Sequence, residues 1–150
     1  MKKFIPLFIL AIAFALNGTM AQKTNAHINH LAIFVVDLKK STNFYRDIIG
    51  LDTIPEPFHD NKHTWMKIGP GSSLHIIEGA EAKIPHFKNN HLCFSVASVE
   101  KFVEILRKNS WTWEDLSGKK NAISSRVDGV KQIWFQDPDG YWIEINDAKD

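Results

Sequence analysis

Apolar residues follow two rhythms along the chain, and the pair of rhythms occurs twice. His30 to Val36 is a short apolar run rich in β-formers. From Leu38 the spacing becomes helical, with Leu38, Ser41, Phe44, Tyr45, Ile48 and Ile49 on one stripe that stops at Gly50, a residue suited to ending a helix. Short β-rich segments follow near Leu51 to Ile54, His63 to Ile68 and Ser73 to Glu78. After a linker from Gly79 to Asn89 the order returns. Asn90-His91-Leu92 opens a strand, Val99, Phe102, Val103 and Leu106 make a helical stripe, and Asn109-Ser110 ends it. β-rich segments recur near Trp111 to Glu114, Val130 to Gln136 and Tyr141 to Asn146. Sliding the sequence by 61 positions lays Asn29-His30-Leu31 on Asn90-His91-Leu92, and Asp37 on Ser98, both good helix N-caps. Gly69-Pro70-Gly71 and Asp137-Pro138-Asp139-Gly140 mark tight reversals before the last strand of each half. The pattern predicts an α+β fold of two paired βαβββ modules, residues 27–79 and 90–147, forming a curved-sheet cleft, because each sheet offers an apolar face that needs a partner.

The first residues belong to a different class. Lys2-Lys3 precedes an uncharged apolar run of 13 residues, Phe4 to Leu16, and a small polar stretch ends at Ala21. This reads as a signal peptide, residues 1–21, too short to span a bilayer and cleaved to leave a single domain, residues 22–150, with no stable membrane anchor. The protein is therefore expected to be exported, periplasmic or secreted. Cleavage removes two lysines and no acid, leaving 16 basic and 17 acidic residues. That balance gives no footprint for a phosphate backbone, so nucleic acid is not an expected partner. Cys93 is the only cysteine, which excludes an intramolecular disulfide and leaves stability to the core.

The repeat also places the candidate chemistry. His30 and His91 stand at equivalent positions in the first strand of each half. Aligning the final hairpins by Gly71 and Gly140 puts His75 on Glu144, each between apolar strand neighbours. An ionisable side chain on such a strand needs a partner or a functional cavity. Three imidazoles and a carboxylate suit a divalent transition metal, and His30, His91 and Glu144 alone make a two-His-one-carboxylate set. Glu78 competes with His75, because strand alternation points it to the other sheet face and a bulge would exchange the two. His27, His59, His63 and His86 read as solvated residues, and Cys93 as a packed thiol. Phe34 and Trp142 are candidate substrate-binding residues.

Asn29-His30-Leu31-Ala32-Ile33, Ser41-x-x-Phe44-Tyr45 ending in Ile49-Gly50-Leu51, Asn90-His91-Leu92 and Asp137 to Glu144 together resemble the vicinal oxygen chelate superfamily. This is the glyoxalase/bleomycin resistance/extradiol dioxygenase group. The resemblance spans residues 27 to 147 and implies paired βαβββ modules around a metal-holding cleft, with ligands at His30, His75, His91 and Glu144. Where relatives similar to glyoxalase I commonly carry Glu, this chain has His75, so Glu144 is the remaining carboxylate and the catalytic candidate. The bleomycin-binding branch lacks the metal ligands that this chain keeps.

The leading expectation is a metal-dependent enzyme of the glyoxalase type, a lyase or isomerase. It would use Zn, Ni, Co or Mn and act on a small-molecule substrate that chelates the ion through adjacent oxygens. The alternatives are a non-haem Fe(II) dioxygenase using His30, His91 and Glu144, and a non-enzymatic small-molecule binding protein. Members of the group pair modules within a chain or between chains, so both a monomer and a homodimer that exchanges halves satisfy the sequence.

Overall fold

The computed structural model describes residues 25–149, and the expected signal peptide lies outside the described residues. The first module comprises β1 (His30–Val35), α1 (Leu38–Phe44), β2 (Thr53–Ile54), β3 (His63–Gly69) and β4 (Ser72–Glu78). The second comprises β5 (His91–Ser95), α2 (Val99–Lys108), β6 (Ser124–Ser125), β7 (Lys131–Gln136) and β8 (Trp142–Asn146). The sheets have equivalent orders, β1-β4-β3-β2 and β5-β8-β7-β6. In each, the first strand runs parallel to the last and the others are antiparallel.

The two helices start alike because their caps are alike. The Asp37 carboxylate accepts from the Lys40 backbone N–H at 2.9 Å, and the Ser98 hydroxyl oxygen accepts from that of Lys101 at 3.3 Å. They end differently. Past Phe44 the first helix widens into a π-helical turn, Tyr45–Ile49, and stops at Gly50, whose φ of 86° suits a residue without Cβ. The buried Tyr45 opens that turn and sends its hydroxyl across to the second module.

One expected strand is absent. Between Trp111 and Glu114 only Glu114 bridges to Trp134 of β7, and the sheet's fourth strand is instead Ser124–Ser125. The cause is a tight turn, in which the Asp115 carboxylate accepts from the Ser117 hydroxyl and the Lys119 N–H and peels the chain away from β7.

The alternation of each strand sorts its residues onto two faces. Ile33, Val35, Met66, Leu74 and Ile76 in one sheet, and Ile133, Phe135, Ile143 and Ile145 in the other, join residues of both helices in one continuous buried core. The modules meet through these helix-bearing faces. Phe44 packs on Trp111 and Phe135 with ring centroids 4.8 and 6.2 Å away, and Leu31, Ile68 and Leu74 face Leu92 and Phe94 across a cavity of about 100 Å³.

The β7–β8 turn ties the two halves together. The Asp139 carboxylate accepts from the Val36 N–H at 2.8 Å and from the buried Ser41 hydroxyl at 2.5 Å, while Tyr45 donates to Asp137 at 2.8 Å. The Tyr141 hydroxyl bonds the backbone of Phe34. Burial pushes the Asp137 carboxyl above the usual carboxylate range. The sequence allows the open sheet faces to pair within one chain or between two chains. In this chain the modules stand back to back, and their open faces do not close on one another. No helix among the described residues is long and apolar enough to cross a membrane.

Candidate metal centre

His30 leaves β1 on the open face of the first sheet, exposed. Its Nδ1 lies 2.9 Å from the Asn29 side-chain oxygen, an acceptor, so Nδ1 carries the proton and Nε2 keeps its lone pair. His75 sits on the neighbouring strand β4, paired with Ala32 and Trp65. Its ring is layered between His30, 4.2 Å away and 4° from parallel, and Trp65, 3.9 Å away and 4° from parallel. Its Nε2 bonds the Ser73 hydroxyl at 2.9 Å. Burial, and then the neighbouring His30 and His63, hold the His75 imidazole below the usual histidine range. The competing Glu78 is accounted for elsewhere, since its carboxylate accepts from the Leu38 N–H at the start of α1, on the opposite face.

The second module supplies the other half. His91 Nδ1 donates to the Lys88 carbonyl at 3.0 Å, leaving Nε2 as an acceptor, and this Nε2 faces Glu144 Oε2 at 3.3 Å. Glu144 is 7% exposed, and its other oxygen accepts from the Asn146 amide at 2.8 Å. A lone pair and a carboxylate oxygen that face each other need a cation or a proton between them, so this pair has the chemistry of two ligands of a divalent metal. Cys93 lies beside Glu144 on the neighbouring strand, and Asn146 also donates to its sulfur at 3.1 Å. The sequence reads Cys93 as packed, but it is exposed. Partial burial, and then the Glu144 carboxylate, raise its thiol to about 11.

The four sequence candidates thus form two pairs, His30 with His75 and His91 with Glu144. Among the described residues, no group of three or more His, Cys, Asp or Glu is close enough to hold a metal ion. The separation follows from the back-to-back packing, which turns the two open faces apart. Phe34 is 51% exposed on the face of His30 and borders a cavity of about 520 Å³ with Gly79, Ile84 and Tyr141. Trp142 bonds the His86 carbonyl through its indole N–H at 3.0 Å and lies under the Lys88 ammonium, 4.7 Å away.

The weaker histidines lie elsewhere. His63 bonds Asp60 at 2.9 Å, His59 is beside Glu56, and His86 stacks on Tyr141. Sequence reasoning missed Trp65, although two-residue alternation within β3 marks its face. It also missed Lys88, which touches His91 through its carbonyl, and no side-chain pattern reveals a backbone contact.

The profile of the Glyoxalase/Bleomycin resistance protein/Dioxygenase superfamily matches residues 27–145, and the chain belongs to this family. The lactoylglutathione lyase of Schizosaccharomyces pombe is 29% identical over 147 residues, covering 79% of this chain and 46% of that protein, so this chain spans about half of it. The metallothiol transferase FosB of Staphylococcus epidermidis is 26% identical over 125 residues, 79% of this chain and 80% of that one. Among solved structures, the fosfomycin resistance protein FosX of Listeria monocytogenes matches with a TM-score of 0.65 at 22% identity, covering 83% of this chain and 95% of that one, and shares the fold.

Proposed function

We propose that this chain is an exported, metal-dependent lyase or isomerase of the glyoxalase type, acting as a homodimer whose centres are shared between copies. The observation that carries the reading is the pair of acceptors, His91 Nε2 and Glu144 Oε2, facing each other at 3.3 Å on an open sheet face. His30 presents a free Nε2 on the other open face of the same chain. Two copies related by a twofold axis bring the first face of each against the second face of the other and complete two centres. The names of the relatives, a lyase and a metallothiol transferase, support an enzyme that handles small molecules. Export rests on Lys2-Lys3 and the apolar run after it.

In the completed centre His30, His91 and Glu144 hold the ion. His75 positions His30 by stacking, because its own Nε2 is engaged by Ser73. A bound Zn, Ni, Co or Mn ion supplies Lewis acidity to a substrate that offers two adjacent oxygens. Glu144 Oε2 would hold the ion at rest and serve as the base once released from it: it accepts a proton from the carbon next to the substrate carbonyl and returns it at the neighbouring position, while Asn146 keeps Oε1 fixed. Phe34, Trp65 and Trp142 wall the faces and keep water from the developing enolate.

The test uses residues 22–150 purified without chelators, with His30→Ala and Glu144→Gln made separately. Elemental analysis and sedimentation should give a dimer with near-stoichiometric metal for the wild type, and little metal in either variant. After subunit exchange in an equal mixture, shared centres restore about a quarter of the wild-type metal, because half the dimers are mixed and each mixed dimer keeps one intact centre. A mixture as metal-poor as its parents, or a monomeric wild type, refutes the shared centre. Iron together with oxygen uptake on a catechol overturns the lyase assignment.

A further inference from the structure

Glu114 is a buried carboxylate, 7% exposed, outside the centre, and it bonds two lysines: Lys88 at 2.5 Å and Lys120. Burial works to raise its carboxyl, but the two ammonium groups outweigh that and hold it below the usual range. Lys120 reaches the carboxylate from the exposed side, while Glu114 and Lys88 make a largely buried ion pair, which contributes little net stability over apolar side chains of the same volume, so its presence asks for another reason. The reason lies along the chain from Glu114 to His91. Glu114 is fixed to β7 by a reciprocal pair of backbone bonds with Trp134, both 2.8 Å. Its carboxylate anchors the Lys88 ammonium, which also lies 3.4 Å from the carbonyls of Asp115 and Leu116 and over the Trp142 ring. The Lys88 carbonyl belongs to the linker rather than to a strand, and it accepts the Nδ1 proton of His91. Trp134 closes the circuit, its ring 4.4 Å from that of His91 and at 72° to it.

We infer that Lys88, held by Glu114, is a positioning residue for His91: the ion cluster fixes the linker carbonyl that selects the Nδ1–H tautomer and aims Nε2 at Glu144. This rests on the metal-centre reading, but part of its test does not. Without the anchor the linker carbonyl swings free, and His91 divides between its two tautomers. Groups hydrogen-bonded behind a metal ligand typically change metal affinity 10- to 100-fold when removed.

The experiment compares the wild type, Lys88→Met, Glu114→Gln and the conservative Lys88→Arg. Zinc affinity is measured by competition with a fluorescent chelator, and the His91 tautomer is read from ring ¹⁵N shifts in metal-free protein at pH 9. Lys88→Met and Glu114→Gln should each weaken zinc binding about tenfold or more and mix the His91 tautomers, with Lys88→Arg staying within about threefold of the wild type. Glu114→Gln preserves volume and serves if Lys88→Met does not fold. Wild-type zinc affinity in Glu114→Gln with a single Nδ1–H tautomer overturns the inference. A wild type that takes up no metal sinks the function proposed above, while the tautomer measurement still decides the role of Lys88.

Discussion

Replacing Asp139 by alanine tests whether one buried carboxylate holds the two modules together. Asp139 is 4% exposed and makes two bonds to the first module, from the Val36 N–H and from the Ser41 hydroxyl, which is itself fully buried. Alanine leaves both donors without their acceptor, the Ser41 hydroxyl fully buried and the Val36 N–H partly so. An orphaned buried donor costs about 1–3 kcal/mol and the part-buried Val36 N–H about 1–2 kcal/mol, so the pair is worth roughly 2–5 kcal/mol, reduced by whatever the wild type spends in burying a charge. At a urea slope of about 1.5 kcal/mol/M, a loss near 3 kcal/mol moves the unfolding midpoint down by about 2 M. Asp139→Asn keeps the shape, with its oxygen accepting from Val36 and its amide donating to Ser41, and should cost less than about 1 kcal/mol. Urea unfolding followed by tryptophan fluorescence measures both, and hydrogen exchange at the Val36 amide should accelerate in the alanine variant alone. If Asp139→Ala unfolds within about 0.5 kcal/mol of the wild type, the bonds from Asp139 do not hold the modules together.

Other expectations concern single groups. With its thiol at about 11, Cys93 should react with iodoacetamide at pH 8 roughly 20-fold more slowly than a free thiol, once the higher nucleophilicity of a more basic thiolate offsets part of its scarcity. The rate should keep climbing up to about pH 11, and a plateau near pH 9 is the contrary result. Glu114 is ionised in the fold below the pH at which it ionises in the unfolded chain. Its stabilising contribution is therefore complete above about pH 4.5 and fades as the pH falls through its lowered folded value. The gap in urea midpoint between the wild type and Glu114→Gln should accordingly narrow from pH 6 to pH 3, and a widening gap contradicts the pairing. Gly79 has a φ of 142°, and a Cβ there would come within 2.9 Å of the Phe34 ring. Gly79→Ala should cost about 1–3 kcal/mol by thermal unfolding, mostly from the backbone conformation.

Several features were legible because they are local. Asp37 and Ser98 cap their helices as the 61-residue repeat requires, and the strand alternation that sets His75 apart from Glu78 is borne out by the Glu78 bond to Leu38. The end of the first helix at Gly50 was readable too, but its π turn was not, since it depends on Tyr45 reaching Asp137 in the other module. The strand expected at Trp111 to Glu114 failed for a similar reason. Its β-rich composition was real, but the turn held by Asp115 took the chain off the sheet edge.

Sequence by itself determined the two modules and the family, and it put forward the residues proposed to hold a metal, because each of these readings rests on periodicity, caps and turn chemistry within a few residues of one another. Only the tertiary structure decided how the candidates are grouped. Which faces of the two modules meet is settled by long-range contacts between Phe44, Ser41 and Tyr45 on one side and Phe135, Asp137 and Asp139 on the other. Those contacts turn the helix-bearing faces inward and leave His30 with His75, and His91 with Glu144, on separate open faces. Neither spacing nor composition encodes that choice, since the same apolar stripes serve a chain folded face to face or back to back.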